Sequence, residues 1–221
     1  RIHVIGTLES KPYVDMTLQA MQLFGVDGHN LEITNTNGYR SPGTIAVEGD
    51  WSNSAFFLAA QHLGSAVTVT NLQTDSLQGD RMVATLLPQL NKHCEIDVRD
   101  IPDLVPILSV VAAAQNGAVF TGTERLKAKE SDRGMAMHEE LQKLEGSLIF
   151  GDNTITVPKQ TLQYHGTVLN GHNDHRIVMA LSVILSQIGG SIEGAEAIRK
   201  SYPGFFRDIE MLGAEVTTYG M

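Results

Sequence analysis

The 221 residues carry 25 Asp and Glu against 16 Lys and Arg, a formal charge of −9, with 42% hydrophobic residues and one cysteine, Cys94. The apolar share supports a packed core and excludes wholesale disorder, and the acidic balance speaks against a general nucleic-acid binder, although a pocket on an acidic protein can still be locally positive. A lone cysteine allows no intramolecular disulfide and fits a reducing, cytoplasmic setting.

The chain opens on RIHVIGTLESKPYVDM, without an initiator methionine. It reads as a strand entered part-way through a protein, hence a fragment or a processed subunit, and it has no signal-peptide pattern. SKPYVDMTLQAMQLFGVDGHNLEI then predicts an amphipathic helix and a strand, the second half of a unit that recurs downstream. Val14, Leu18, Met21, Leu23 and Phe24 on that helix need a cover. The boundary is expected near TIAVEGD, which leaves 1–47 as a half unit and 48–221 as a complete array.

Three stretches then share one layout. Each begins on an acid suited to a helix N-cap or first turn: Asp50, Asp103 and Asp174. Each continues into an almost wholly apolar helix, which predicts burial, and each helix ends at Gly64, Asn116-Gly117 or Gly189-Gly190. A strand, a polar loop, an amphipathic helix and another strand follow. Trp51, Phe56 and Phe57 fall at helical spacing and are expected in the core, and Cys94 is expected to pack rather than react. The dipeptide-plus-one GDR (79–81) recurs as SDR (131–133), which supports duplication. The longest apolar run, IVMALSVILSQIGG, is too short to span a bilayer. The pattern is α/β, with buried helices inside a ring of sheets.

Four junctions between loop and helix are candidates for chemistry. In RLKAKESDR, Lys129, Glu130 and Arg133 crowd a helix N-terminus, where backbone N–H groups favour anions. The alternative is a solvated cap with Asp132 as the capping acid. In GHNDHRIVMA, Arg176 stands at the mouth of a buried helix and needs an anionic partner, either Asp174 itself or a ligand carboxylate or phosphate. His172 and His175 lack further ligands at metal spacing, so no metal is expected. In DIPDLVPILSVV, Asp103 is either a plain N-cap or a carboxylate placed to take a proton. In IRKSYPGFF, Lys200 precedes a turn. Walker, GxGxxG and GxSxG signatures are absent.

Taken together and in order, SKPYVDMTL, VEGDWSNSAFFLAA, IPDLVPILSVVAA, RLKAKESDR, NDHRIVMAL and KSYPGFF resemble the 5-enolpyruvylshikimate-3-phosphate synthase family over nearly the whole chain. They favour it over the sibling family of UDP-N-acetylglucosamine enolpyruvyl transferases; a non-catalytic scaffold of the same fold is the other alternative. The resemblance implies the enolpyruvyl-transferase fold, built of pseudo-threefold βαβαββ units, and transfer of an enolpyruvyl group from phosphoenolpyruvate to the 5-hydroxyl of shikimate-3-phosphate, with no cofactor. It implies a proton acceptor at Asp103 and a proton donor to the phosphoenolpyruvate methylene at Glu130. It places Ser10, Tyr13 and Lys129 against shikimate-3-phosphate, and Arg133, Arg176 and Lys200 against phosphoenolpyruvate. Arg125 stands where some relatives have asparagine, and His175 adjoins Arg176. The resemblance also assigns 1–47 to the end of an N-terminal domain and 48–221 to the C-terminal domain. The missing cations of the site would then come from a complementing N-terminal chain, with no nucleic acid or membrane involved.

Overall fold

The computed structural model describes residues 2–6, 8–29, 31–33 and 38–219. Arg1 and Thr7 of the expected opening strand lie outside the described residues. Among the described residues, 2–6 form no ladder and make one backbone bond, from Ile2 N–H to Leu31 O at 3.0 Å. Helix α1 (Lys11–Leu23) follows, with Pro12 in the first turn, where its missing N–H costs no hydrogen bond. None of its residues is buried. It leads into a short antiparallel pair, β1 (Gly28–His29) with β2 (Glu32–Ile33).

The centre of the fold is three helices: α2 (Trp51–His62), α4 (Val105–Ala114) and α6 (His175–Ile188). They touch one another pairwise, which gives the threefold array the sequence layout implied. Every residue from Val105 to Ala113 is buried, as is every residue from Ile177 to Leu185. Two core hydroxyls are satisfied locally: Ser109 Oγ donates to Val105 O and Ser182 Oγ to Val178 O, each at 2.8 Å. Helix α2 differs from expectation. It buries only the stripe Trp51, Ala55, Phe56 and Ala59. Phe57, on its other side, is half-buried against the rings of Tyr202 and Phe205, with centroids 6.0 and 5.8 Å away.

Around these helices run α3 (Val83–Gln89), α5 (Arg133–Gln142) and α7 (Phe205–Met211). The main sheet has the order β3 (Cys94–Asp97), β4 (Ala118–Thr121), β6 (Thr154–Val157), β5 (Ile149–Gly151). Strands β3 and β4 are parallel and the other neighbours antiparallel, so α4 is the crossover of a βαβ unit. Helix α6 plays the same part between the parallel strands β7 (Leu169–Asn170) and β8 (Ile192–Glu193). Two expected strands, 65–71 after α2 and 214–219 after α7, are not in any ladder among the described residues. The first alternates in exposure as a strand does but lacks a partner strand to close its hydrogen bonds.

Asp50 and Asp174 cap α2 and α6: Asp50 accepts from Asn53 N and Asp174 from Arg176 N, both at 2.9 Å. Asp103 makes no cap bond. It sits in a 3-10 turn, Pro102–Leu104, ahead of α4, and its carboxylate is committed elsewhere.

Candidate active site

The N-terminal ends of α4, α5 and α6 meet with the start of α1, and the charged side chains of the three junctions converge there. Asp103 is the hub. Its Oδ1 accepts from Arg133 Nη1 at 2.5 Å and lies 3.1 Å from Lys129 Nζ. Its Oδ2 lies 3.0 Å from Arg176 Nη2 and accepts from the Tyr13 hydroxyl at 3.1 Å. Burial alone would raise the Asp103 pKa, but Arg176, Arg133 and Lys129 together outweigh it and hold the carboxyl well below the usual range.

Arg133 is 1% exposed. Its Nε donates to Asp174 Oδ2 at 2.9 Å and its Nη2 to Glu130 Oε2 at 2.7 Å, besides the bond to Asp103. Asp132 caps α5, accepting from Met135 N at 3.2 Å, so the charged start of that helix is both a cap and a site. Arg133 therefore joins three carboxylates from three junctions. These bonds use three of its five N–H donors. Asp174 also accepts from Ser131 Oγ at 3.0 Å. Burial would raise its pKa, and Arg133 more than reverses this. Glu130 is the outermost of the three, with a side chain 39% exposed.

Arg176 does not pair its guanidinium with Asp174, whose carboxylate goes to Arg133. Its one ion pair is with Asp103, and its Nε and Nη1 are buried with no partner among the described residues. His175 is buried beside it, and burial followed by the charge of Arg176 lowers the imidazole pKa. The loop that aims both residues passes through two consecutive left-handed residues, His172 (φ 49°) and Asn173 (φ 51°). Such a conformation costs non-glycine residues about 1 kcal/mol or more each and is held by surrounding bonds. One such bond comes from Lys200, whose Nζ donates to Asn173 O at the exposed rim.

Helix α1 reaches the site through its first turn. Ser10 Oγ accepts from Arg125 Nη1, and Lys11 N donates to Asp100 Oδ1 at 3.2 Å. Burial first, then Asp80 and Asp103, push the Tyr13 phenol far above its ordinary pKa. All ten sequence candidates thus fall in one chain of contacts: Asp103, Lys129, Glu130, Arg133, Arg176 and Tyr13 directly, His175 and Lys200 through the 172–176 loop, and Ser10 with Arg125 at the flank. The sequence reading missed two residues. Asp174, expected as a cap or as the partner of Arg176, caps α6 and pairs with Arg133 instead. Asp80, in the GDR copy of SDR, is a buried carboxyl within electrostatic reach of Tyr13 and Arg176, and that repeat is its one signal in the sequence.

His172 and His175 diverge. His172 Nε2 lies 2.8 Å from Glu140 Oε1, and with Glu139 these form the one His and carboxylate cluster of metal-holding spacing among the described residues. Lys143 Nζ already donates to both Glu140 oxygens, at 3.0 and 2.9 Å, and Asn170 N to one of them at 2.7 Å. An ammonium in that place makes the cluster a structural ion pair.

The EPSP synthase (3-phosphoshikimate 1-carboxyvinyltransferase) family matches residues 1–95 and 85–209. A curated 3-phosphoshikimate 1-carboxyvinyltransferase of Clostridium kluyveri is 35% identical over 246 residues, an alignment covering 100% of this chain and 57% of that protein. The one from Haemophilus ducreyi is 32% identical over 237 residues, covering 96% and 54%. A solved EPSP synthase from Acinetobacter baumannii superposes with a TM-score of 0.74 at 23% identity, over 97% of this chain and 57% of that one, which shows the shared fold. The chain spans about half the length of the curated relatives it matches.

Proposed function

The chain belongs to the EPSP synthase family, and from that premise we propose that it is the C-terminal part of an enzyme that transfers the enolpyruvyl group of phosphoenolpyruvate to the 5-hydroxyl of shikimate-3-phosphate. The observation that carries this reading is the Arg176 guanidinium, with two buried nitrogens unpartnered beside a carboxylate already shared by three cations. Buried donors are nearly always satisfied, so an anion such as a carboxylate is the natural partner for these donors.

The reaction needs a proton delivered to one carbon of the enol and a hydroxyl nucleophile added at the other. Glu130, at the exposed rim, is placed to give the first proton, and Asp103, at the buried centre, to accept the hydroxyl proton. Asp103 is a weak base while Arg176, Arg133 and Lys129 all face it. Anionic substrates that draw off Arg176 and Lys129 would restore its basicity when the hydroxyl is in place. The tetrahedral intermediate carries phosphate and carboxylate, which fixed cations stabilise. Lys200 extends the positive rim, and Ser10, Tyr13 and Arg125 offer donors for the sugar phosphate.

The remaining cations would come from an N-terminal portion bound over residues 1–47, which we read as the end of the N-terminal domain, with 48–221 as the C-terminal one. Ile5, Leu23 and Val47 are 98%, 53% and 90% exposed there, and apolar surface of that kind marks an interface. No helix among the described residues is long and apolar enough to cross a membrane, and we place the reaction in the cytoplasm. The acceptor is tested by measuring phosphate release from phosphoenolpyruvate with shikimate-3-phosphate or with UDP-N-acetylglucosamine, in the presence of the N-terminal portion. Release with the first alone is expected; release with the second alone would move the chain to the sibling reaction. Arg176→Ala should weaken phosphoenolpyruvate binding by roughly 1.5–3 kcal/mol, the worth of a charge-assisted pair. An unchanged affinity by calorimetry would remove Arg176 from the site.

A further inference from the structure

Among the described residues, four buried side-chain polar atoms have no hydrogen-bond partner: Asp80 Oδ1, His175 Nδ1, and Arg176 Nε and Nη1. Their concentration in one place is the anomaly, since such atoms are rare and usually mark an unmade contact. His175 is the neighbour of Arg176 in sequence, and Asp80 lies within the electrostatic reach of Arg176. Asp80 is 1% exposed. It arrives on a 3-10 turn, Gly79–Met82, pressed against α2, where the Ser52 hydroxyl donates to its Oδ2. Gly79 packs closely: a Cβ there would stand 3.0 Å from Asp100 O and 3.2 Å from Pro12, so the turn sits between α1 and the Asp100–Asp103 segment.

The carboxylate on the other side of Arg176 is full. Asp103 Oδ1 serves Arg133 and Lys129, and Oδ2 serves Tyr13 and Arg176 Nη2. Asp103 therefore has no oxygen left for Arg176 Nε or Nη1. The one unpartnered buried carboxylate oxygen among the described residues is Asp80 Oδ1. We propose that Asp80 is a positioning residue for Arg176: fixed by Ser52, it opposes the pull of Asp103 and keeps the Nε and Nη1 donors of the guanidinium available to the substrate's carboxylate. The inference rests on the anion-binding reading above and adds to it a residue outside the four sequence junctions. Asp80 also fits the chemistry of the cluster. Burial pushes its carboxyl up to about 6, so near neutral pH it still carries the charge that restrains Arg176, facing Tyr13, Asp50 and Asp103 as its other ionisable neighbours.

Asp80→Asn separates positioning from simple electrostatics. The amide oxygen can still accept from Ser52, so the turn keeps its anchor, and loss of a charge that burial disfavours should raise the thermal midpoint at pH 7–8. A negative charge that merely sat near the site would, on removal, tighten binding of an anion. Positioning requires the opposite: affinity of the chain, assembled with its N-terminal portion, for phosphoenolpyruvate falls about tenfold, the loss of one well-placed charge-assisted contact. Ser52→Ala, which removes the anchor without changing charge, should weaken binding in the same direction. The Arg176 Nε–H resonance in a nitrogen–proton NMR spectrum reads the guanidinium directly and needs no turnover. It should shift and broaden in both variants. Unchanged resonances, or tighter phosphoenolpyruvate binding by Asp80→Asn, would overturn the proposal. An assembled wild-type protein that binds no phosphoenolpyruvate would instead overturn the functional reading, while the resonance still decides the role of Asp80.

Discussion

Arg133→Ala is expected to cost roughly 3–5 kcal/mol of stability, the range for removing one partner of a buried ion network. The side chain is 1% exposed and joins Asp103, Asp174 and Glu130. Without it the Asp174 carboxylate, 0% exposed, keeps hydrogen bonds only from Ser131 and the Arg176 amide among the described residues. Asp103 keeps Lys129 and Arg176, so the damage concentrates on Asp174. Denaturant unfolding of the two proteins measures the difference, and a change below about 1 kcal/mol, the worth of an exposed pair, would show that the network is not holding the helix ends together. The pH dependence has a definite sign. Asp103 and Asp174 have folded pKa values below their unfolded ones. Their contribution is complete above the unfolded value near 3.9 and is lost as pH falls through the lowered folded values. Asp80 acts oppositely: its raised pKa means stability is gained as pH falls from above 6 toward 4. Arg133→Ala should move the acid-unfolding limb to higher pH.

Asp103→Asn should reduce turnover by about 10²–10⁴-fold in the assembled enzyme, the usual contribution of a positioned proton acceptor. The amide oxygen can still accept from Arg133 and the amide NH2 that replaces Oδ2 can donate to the Tyr13 hydroxyl, so the loss should appear in kcat more than in the KM for either substrate. A drop smaller than about tenfold would assign Asp103 to holding the cations rather than to proton transfer. The wild-type pH–rate profile separates the two further. With Arg176 and Lys129 engaged by substrate, the acid limb of kcat should lie nearer the ordinary carboxylate range than the free chain's depressed Asp103 would suggest.

Local signals carried the fold furthest. An acid, an apolar run and a glycine located α2, α4 and α6, and Asp50, Asp132 and Asp174 cap the helices that follow them, because capping depends on residues within one turn. Strand pairing depends on distant partners. Residues 65–71 have the alternation of a strand, but nothing in their own sequence says whether a neighbour will close the ladder. The half-exposed side of α2 has the same origin, since apolar character shows that a helix wants cover and not how much it finds. At the site, the spacing of Lys129, Glu130 and Arg133 marked the junction but not the allocation of partners. Arg176 and Asp174 are two residues apart, yet Arg176 pairs with Asp103 and Asp174 with Arg133. That exchange follows from where three helix ends meet. Asp80 was least legible, because its burial is made by α1 and α2 closing over a turn that reads as an ordinary surface GDR.

On the proposed reading, this chain holds one side of an active site completed by an N-terminal portion. The most direct measurement is phosphate release from phosphoenolpyruvate and shikimate-3-phosphate, first with this chain alone and then after adding that portion. Release only in the mixture is the expected result. Full turnover by the 221-residue chain alone, or none in a mixture shown to have assembled, would contradict it.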